Sequence, residues 1–308
     1  MTSPALRRFP FQAMGSFCEI QFVDTSRIDA RKRLRVLLDE VARLEIRYSR
    51  YRDDSLVSAI NATAGTGKTV AIDPETRALL DHAFSCYEQS GGLFDITSGV
   101  LRRIWDFKSG VVPSQADIDA LLPSIGMERL DWTGDRMSLP AGMEIDFGGI
   151  VKEYAADCTA NLARRIGITS GLVNLGGDFA VIGPLPDGKP WPVGIVHPSR
   201  PEALMARLHL NAGGLASSGD YERFFEHQGK RYSHLLNART GWPSEGLRAV
   251  SVCAELCTVA GSAATIAMLK PAAEAITWLA DLGLPHVYMQ QDGSIGSPDF
   301  QPPENITT

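Results

Sequence analysis

The 308-residue chain has no CxxC pair, no HxH or HxxxH spacing, no GxSxG elbow and no GxGxxG following a strand. Its five cysteines (Cys18, Cys86, Cys158, Cys253 and Cys257) are odd in number and scattered, so neither a disulfide framework nor a thiolate zinc site is expected. The six histidines are equally dispersed, which removes a transition-metal signature. Without the serine elbow and the glycine fingerprint, an α/β-hydrolase and a dinucleotide-binding fold lose their support. Basic excess is missing too: 30 Lys and Arg against 36 Asp and Glu leave a net charge of −6. That argues against a general nucleic-acid binder but leaves room for a locally positive anion pocket. No apolar run is long enough to span a bilayer, since the longest candidate, residues 250–269, contains Glu255 and many small residues. The first ten residues carry no signal-peptide core, so a cytoplasmic protein is expected.

Hydrophobic residues make up 44% of the chain, enough for a sizeable core. Cys18, Ile20 and Phe22 alternate with polar residues as in a half-buried strand. A helix follows, with Leu34, Leu37, Leu38, Val41 and Leu44 on one stripe and Thr25 or Ser26 as its cap. Asp73-Pro74-Glu75 opens a second helix whose buried face is expected to hold Leu80, Phe84 and Tyr87, stopped by Gly91-Gly92. Ser114 or Asp117 starts a short helix. Residues 144–147 read as a strand, broken by Gly148-Gly149 and followed by a helix over about 150–166. Further strands are expected at 172–175, 193–196, 205–210 and 249–253, with hairpin turns at 227–230 and Asp292-Gly293. A small-residue helix ends near Lys270-Pro271, and a last helix covers about 272–282. Strands and helices alternate without βαβ regularity, and no linker or repeat interrupts them. The expected fold is therefore α+β, with mixed sheets packed against helices in a single domain over residues 1–308.

Three segments carry chemical content, and a fourth only imitates it. Residues 64–69 (Ala-Gly-Thr-Gly-Lys-Thr) imitate a phosphate loop but lack its first glycine, which is Ala62 here, and run into a short β stretch; they read as a turn instead. Residues 144–153 are more informative. Asp146 sits at the end of an extended segment, two glycines allow close approach, and Lys152 lies in the first turn of a helix whose N-terminus favours an anion. A tight turn with a surface lysine is the plainer alternative. On the small-residue helix, Glu255, Thr258, Ser262 and Thr265 draw one polar stripe, unless those hydroxyls simply bond back to their own helix. The third segment, Arg231 to Asn237, could present His234 to a cleft or hold it as a structural strand residue.

Taken in order, eight short words of this sequence resemble the FAD:protein FMN transferase (ApbE-type) family across almost the whole chain. They are Ala13-Met14-Gly15-Ser16, Tyr48-Ser49-Arg50-Tyr51 with Ser55 to Asn61, Gly92-Leu93-Phe94-Asp95-Ile96-Thr97, the stretch from Ile145 to Lys152, Val173 to Asp178, Ser218-Gly219-Asp220-Tyr221, Tyr232-Ser233-His234 and Ala263-Ala264-Thr265. The resemblance implies an ApbE-like fold with largely antiparallel sheets. It implies FAD as ligand and Mg²⁺ as cofactor, with FMN transferred to a Ser or Thr hydroxyl of an acceptor protein and AMP released. By motif, Met14, Tyr51, Leu93, Phe94, Asp95, Asp146, Lys152 and Leu235 would contact the flavin nucleotide. The Gly149 carbonyl and the Thr265 hydroxyl would be metal ligands, and His234 the general base. Neither nucleic acid nor membrane insertion is expected.

Two positions depart from the family's pattern. Gly261 stands where the family usually has a metal-binding aspartate, four residues before the threonine. Glu153 stands where glycine commonly follows the lysine, either turned to solvent or adding negative charge beside the phosphate site. The absent carboxylate raises two alternatives, a non-transferring FAD-binding flavoprotein and an FAD pyrophosphatase. Asp146 and Asp220 are the candidates to replace the missing ligand.

Overall fold

The computed structural model describes residues 5–298 and residue 300. The chain begins with a hairpin of β1 (Ala5–Ala13) and β2 (Ser16–Asp24), paired antiparallel from Ala5–Asp24 to Ala13–Ser16. The sequence signal at Cys18, Ile20 and Phe22 belongs to β2, where all three are fully buried. β1 escaped the periodicity reading because it is an edge strand with few buried positions and a proline at 10, which an edge tolerates. The turn between them puts Met14 at φ 51°, a left-handed conformation that costs a non-glycine residue about 1 kcal/mol.

Local capping accounts for most of the helices. α1 (Arg27–Tyr48) starts at Ser26, whose side chain accepts from the Asp29 N–H. α2 spans Leu56–Asn61, and β3 (Val70–Ala71) follows the 64–69 turn, as expected of a segment that is not a phosphate loop. α3 (Pro74–Ser90) is capped by Asp73 and closed by Gly91 in the left-handed region. Its buried hydrophobic positions are Leu79, Leu80, Ala83 and Cys86, so Leu80 is placed as expected while Phe84 and Tyr87 are only half-buried. After a 3₁₀ helix over Ile96–Arg103, α4 (Gln115–Leu121) opens with a capping box between Ser114 and Asp117. β4 (Arg136–Met137) pairs with β3.

Residues 144–147 are not a strand, contrary to the sequence reading. Ile145 gives its N–H to Asn61 Oδ1 at 2.8 Å and accepts from Asn61 Nδ2 at 3.1 Å, while the Asp146 N–H goes to the Ile96 carbonyl. An asparagine side chain thus takes the place of a neighbouring strand. α5 (Val151–Arg165) follows directly.

The rest of the chain builds the main sheet. β5 (Gly171–Leu175), β6 (Asp178–Gly183), a ribbon of β7 (Trp191–His197) and β8 (Arg200–Leu210), and β9 (Gly214–Gly219) come first. Then follow the hairpin of β10 (Phe224–His227) and β11 (Lys230–Ser233), β12 (Ala249–Ala254), α6 (Cys257–Leu269), α7 (Ala272–Leu282), β13 (His286–Met289) and β14 (Ile295–Gly296). Eight strands form one sheet in the order β1-β2-β5-β6-β9-β12-β13-β14, and every ladder in it is antiparallel. Val173 and Leu175 point to the helical face, and Leu172 to the opposite face under the β7–β8 ribbon. Close packing of α6 on β9 requires Gly214, where a β-carbon would stand 2.6 Å from the Cys257 backbone. α6 itself starts at Cys257, which leaves Glu255 exposed ahead of the helix. All five cysteines are free. Among the described residues no helix is long and apolar enough to cross a membrane.

Candidate active site

Where the starts of α5, the 3₁₀ helix and the β1–β2 turn meet the middle of α6, they enclose a cleft of about 420 Å³, within the usual range for small-molecule sites. Met14, Tyr51, Leu93, Phe94, Asp95, Asp146, Gly149, Lys152, His234, Leu235 and Thr265 all line it. Residues separated by up to 251 positions are therefore neighbours around one space. The lining also includes Glu153, the departure expected either in solvent or beside the phosphate site, Arg50 and Ser218, which lie in the motif words without a role given to them, and Arg102, Glu222 and Arg223, which the sequence reading missed. For Arg102 and Arg223, arginine on an otherwise acidic chain is the one sequence signal that could have pointed to them.

The apolar part is formed by Met14, Leu93, Phe94 and Leu235. Phe94 is buried and packs on Gly149, where a β-carbon would stand 3.3 Å from its ring. Tyr51, 74% exposed, stands at the mouth, its hydroxyl accepting from Arg102 at 3.2 Å. Asp95 caps the 3₁₀ helix, accepting from the Thr97 N–H and hydroxyl and, across to another loop, from the Met127 N–H, while the Phe94 N–H donates to Ser90 Oγ at 2.9 Å.

The charged part is organised in pairs. Lys152 Nζ lies 2.9 Å from Asp178 Oδ2, and Asp178 is almost fully buried. Burial alone would lower the Lys152 ammonium, but the Asp178 and Glu153 carboxylates hold it well above its ordinary value, so it stays charged. Asp146 is held by Arg50 at 3.2 Å and Arg102 at 3.6 Å, and accepts the Gly148 N–H at 2.8 Å. Asp220 does not line the cleft; it is buried, pairs with Arg231 at 3.3 Å and accepts from Gln291. Neither aspartate is thus a free carboxylate to stand in for the one missing at Gly261.

His234 hangs from β11, its backbone N–H donating to the Arg223 carbonyl at 2.9 Å. Nδ1 lies 3.2 Å from the same carbonyl, which can only accept, so Nδ1 carries the proton and Nε2 keeps its lone pair. Burial, reinforced by the Arg102 and Arg223 charges, pushes its pKa down to about 4. The imidazole is neutral at physiological pH.

On α6 the polar stripe divides its work. Thr258 bonds to Asp157 of α5, Ser262 Oγ lies 2.8 Å from His82 Nε2 of α3, and Thr265 Oγ1 lies 3.0 Å from Ser218 Oγ of β9. These hydroxyls hold neighbouring elements instead of bonding back to their own helix, and only Thr265 reaches the cleft. Opposite them Glu153 does not turn to solvent. It is 7% exposed, lines the cleft and rests against Gly261. Burial raises its carboxyl, the Asp178 charge raises it further, and Lys152 pulls the other way. A β-carbon on Gly261 would stand 2.5 Å from Glu153 Cγ, so an aspartate placed there alone would have to displace Glu153.

Among the described residues no three His, Cys, Asp or Glu side chains form a metal cluster. The wall does offer a carbonyl at Gly149, a hydroxyl at Thr265 and, at Glu153, a buried carboxylate oxygen without a hydrogen-bond partner. Hard oxygens of this kind, completed by phosphate, fit Mg²⁺.

A sequence model described as the ApbE family matches residues 14–288, nearly the whole chain and every residue of the cleft. The chain belongs to the ApbE family. Among similar proteins, the FAD:protein FMN transferase of Treponema pallidum is 32% identical over 284 residues, 82% of this chain and 75% of the relative. That of Salmonella typhimurium is 30% identical, covering 79% of this chain and 72% of its own length. An ApbE protein from Thermotoga maritima superposes with a TM-score of 0.86 at 29% identity, over 95% of this chain and 97% of that one. The flavinyl transferase ApbE of Pseudomonas stutzeri superposes at 0.84 with 27% identity, over 96% and 95%. The α+β architecture expected from the sequence is thus the ApbE architecture.

Proposed function

We propose that the protein is an FAD:protein FMN transferase formed by a single ApbE-like domain. It would move the FMN moiety of FAD onto a Ser or Thr hydroxyl of an acceptor protein and release AMP. The observation that carries this reading is the convergence of Lys152, His234 and Thr265 on one cleft with an apolar wall of Met14, Leu93, Phe94 and Leu235.

In this reading the apolar wall holds the flavin ring faces, while Tyr51 closes over the mouth. Lys152 and the N-terminal end of α5 steady the pyrophosphate, and Asp146, fixed by two arginines, accepts a ligand hydroxyl or N–H. Arg102 and Arg223 add positive charge near the phosphates. Nε2 of His234 takes the proton of the incoming hydroxyl. The hydroxyl oxygen then bonds to the FMN phosphorus as the bond to the AMP phosphate breaks, and AMP leaves with the electron pair. Gly149 and Thr265 would contribute to holding Mg²⁺, which when bound neutralises charge building on the pyrophosphate oxygens.

The test is incubation of the purified protein with FAD, Mg²⁺ and an acceptor protein or peptide, read by in-gel flavin fluorescence and by AMP release. A covalently fluorescent acceptor with stoichiometric AMP is expected. Intact FAD retained on the protein without turnover would favour a flavoprotein role, and AMP without labelled acceptor a pyrophosphatase; either result overturns the transferase reading.

A further inference from the structure

Glu153 and Gly261 are complementary. Glu153 projects from the first turn of α5 onto α6, and its Cγ, Cδ and Oε1 lie 2.5, 2.9 and 2.9 Å from where a β-carbon of residue 261 would be. The glutamate side chain therefore occupies the volume that any side chain at 261 would take, and glycine at 261 is the condition for its presence there.

Among the described residues lining the cleft, Glu153 Oε2 is the only buried side-chain nitrogen or oxygen without a hydrogen-bond partner. Its neighbour Lys152 attracts it but forms no ion pair with it, because Lys152 Nζ is held at 2.9 Å by Asp178. A carboxylate left in this state is costly unless a proton or a cation joins it. Its surroundings favour a hard cation. Thr265 lies one helical turn beyond Gly261 on the same face of α6, and Gly149 lies in the turn that leads into α5, four residues before Glu153.

We propose that Glu153 is the anionic ligand of a divalent cation at this wall, delivered from α5 into the space that Gly261 leaves open on α6. The proposal rests on the transferase reading in that the same cleft takes the pyrophosphate. The carboxylate that the motif pattern lacks at 261 is thereby present, carried by the facing helix.

Mn²⁺ binding to the full chain, with and without ADP, tests this by the loss of the free-ion electron paramagnetic resonance signal, read with ADP present as the loss beyond that caused by the same ADP without protein. The parent is expected to bind Mn²⁺, more tightly with ADP present. Glu153→Gln, nearly isosteric, should weaken binding by about tenfold or more, because ligand charge sets affinity for hard cations. Gly261→Asp alone should also weaken it, whereas the double variant Glu153→Gly with Gly261→Asp should recover binding, a non-additivity that misfolding cannot produce. Melting in EDTA checks that each variant is folded. Mn²⁺ binding by Glu153→Gln equal to the parent's, or a double variant no better than the worse single one, overturns the assignment. A parent that binds no Mn²⁺ even with ADP overturns it as well, and flavin transfer measured in EDTA then shows separately whether the transferase reading survives.

Discussion

Asp157 Oδ2 accepts both the backbone N–H and the hydroxyl of Thr258, at 2.9 and 2.7 Å, while its Oδ1 accepts the Cys257 N–H at 2.9 Å. A carboxylate of α5 thus caps the first turn of α6, which lacks a side-chain cap of its own. The two helices that carry Glu153 and Thr265 are tied at that point. Asp157→Ala leaves buried donors unsatisfied and is expected to lower stability by about 2 kcal/mol. Urea denaturation measures this, and a change within about 0.5 kcal/mol of the parent, as for an ordinary surface site, would contradict it.

Lys152 and Asp178 give a second expectation. Replacing Lys152 by Met removes the partner of an almost fully buried carboxylate, which should cost about 3 kcal/mol. The double variant Lys152→Met with Asp178→Asn should be more stable than Lys152→Met alone, yet equally defective in FAD binding. Denaturation and FAD titration on the same samples separate the two effects. If Asp178→Asn fails to rescue stability, the pair is not coupled as described.

His234 predicts a pH signature. Its folded-state pKa is about 4 against an ordinary 6.5, depressed by burial and by Arg102 and Arg223. The unfolded chain therefore binds more protons between these values, so the stability this histidine contributes is complete above about pH 6.5 and declines as pH falls toward about 4. The acid limb of kcat/KM should lie near the lower value, and Arg102→Ala should move it upward. An acid limb near 6.5 in the parent enzyme, unmoved by Arg102→Ala, would remove His234 as the base.

Trp105 supports the hairpin that leads to His234. It is 2% exposed, its indole N–H donates to the Gly241 carbonyl at 2.8 Å, and it packs against Phe107, Phe225, Tyr232 and Trp242. Trp105→Ala is expected to cost about 4 kcal/mol and to lower kcat more than FAD affinity. Trp105→Phe should regain much of the stability. FAD affinity lost in proportion to kcat would show that the damage is not confined to the hairpin.

Much of this protein is legible along the chain because the responsible interactions are local. Ser26, Asp73 and Ser114 each bond to a backbone N–H three residues on, so three helix starts need no knowledge of the rest of the molecule. The bounds of α7 and the hairpin turn before Lys230 are equally local. Most of the cleft residues stand in ordered motif words, although Arg102, Glu222 and Arg223 do not and nothing in the sequence states that all of them surround one space.

Other features depend on partners far away in sequence. Residues 144–147 have the composition of a strand, yet Ile145 pairs with Asn61, 84 positions earlier. Asp220 was as good a candidate carboxylate as any until Arg231 and Gln291 were seen to hold it outside the cleft. Glu153 and Gly261 look like two unrelated departures when read separately. Only the packing of α5 against α6 makes them one arrangement, because steric exclusion acts over a few ångströms and the chain places these residues 108 positions apart.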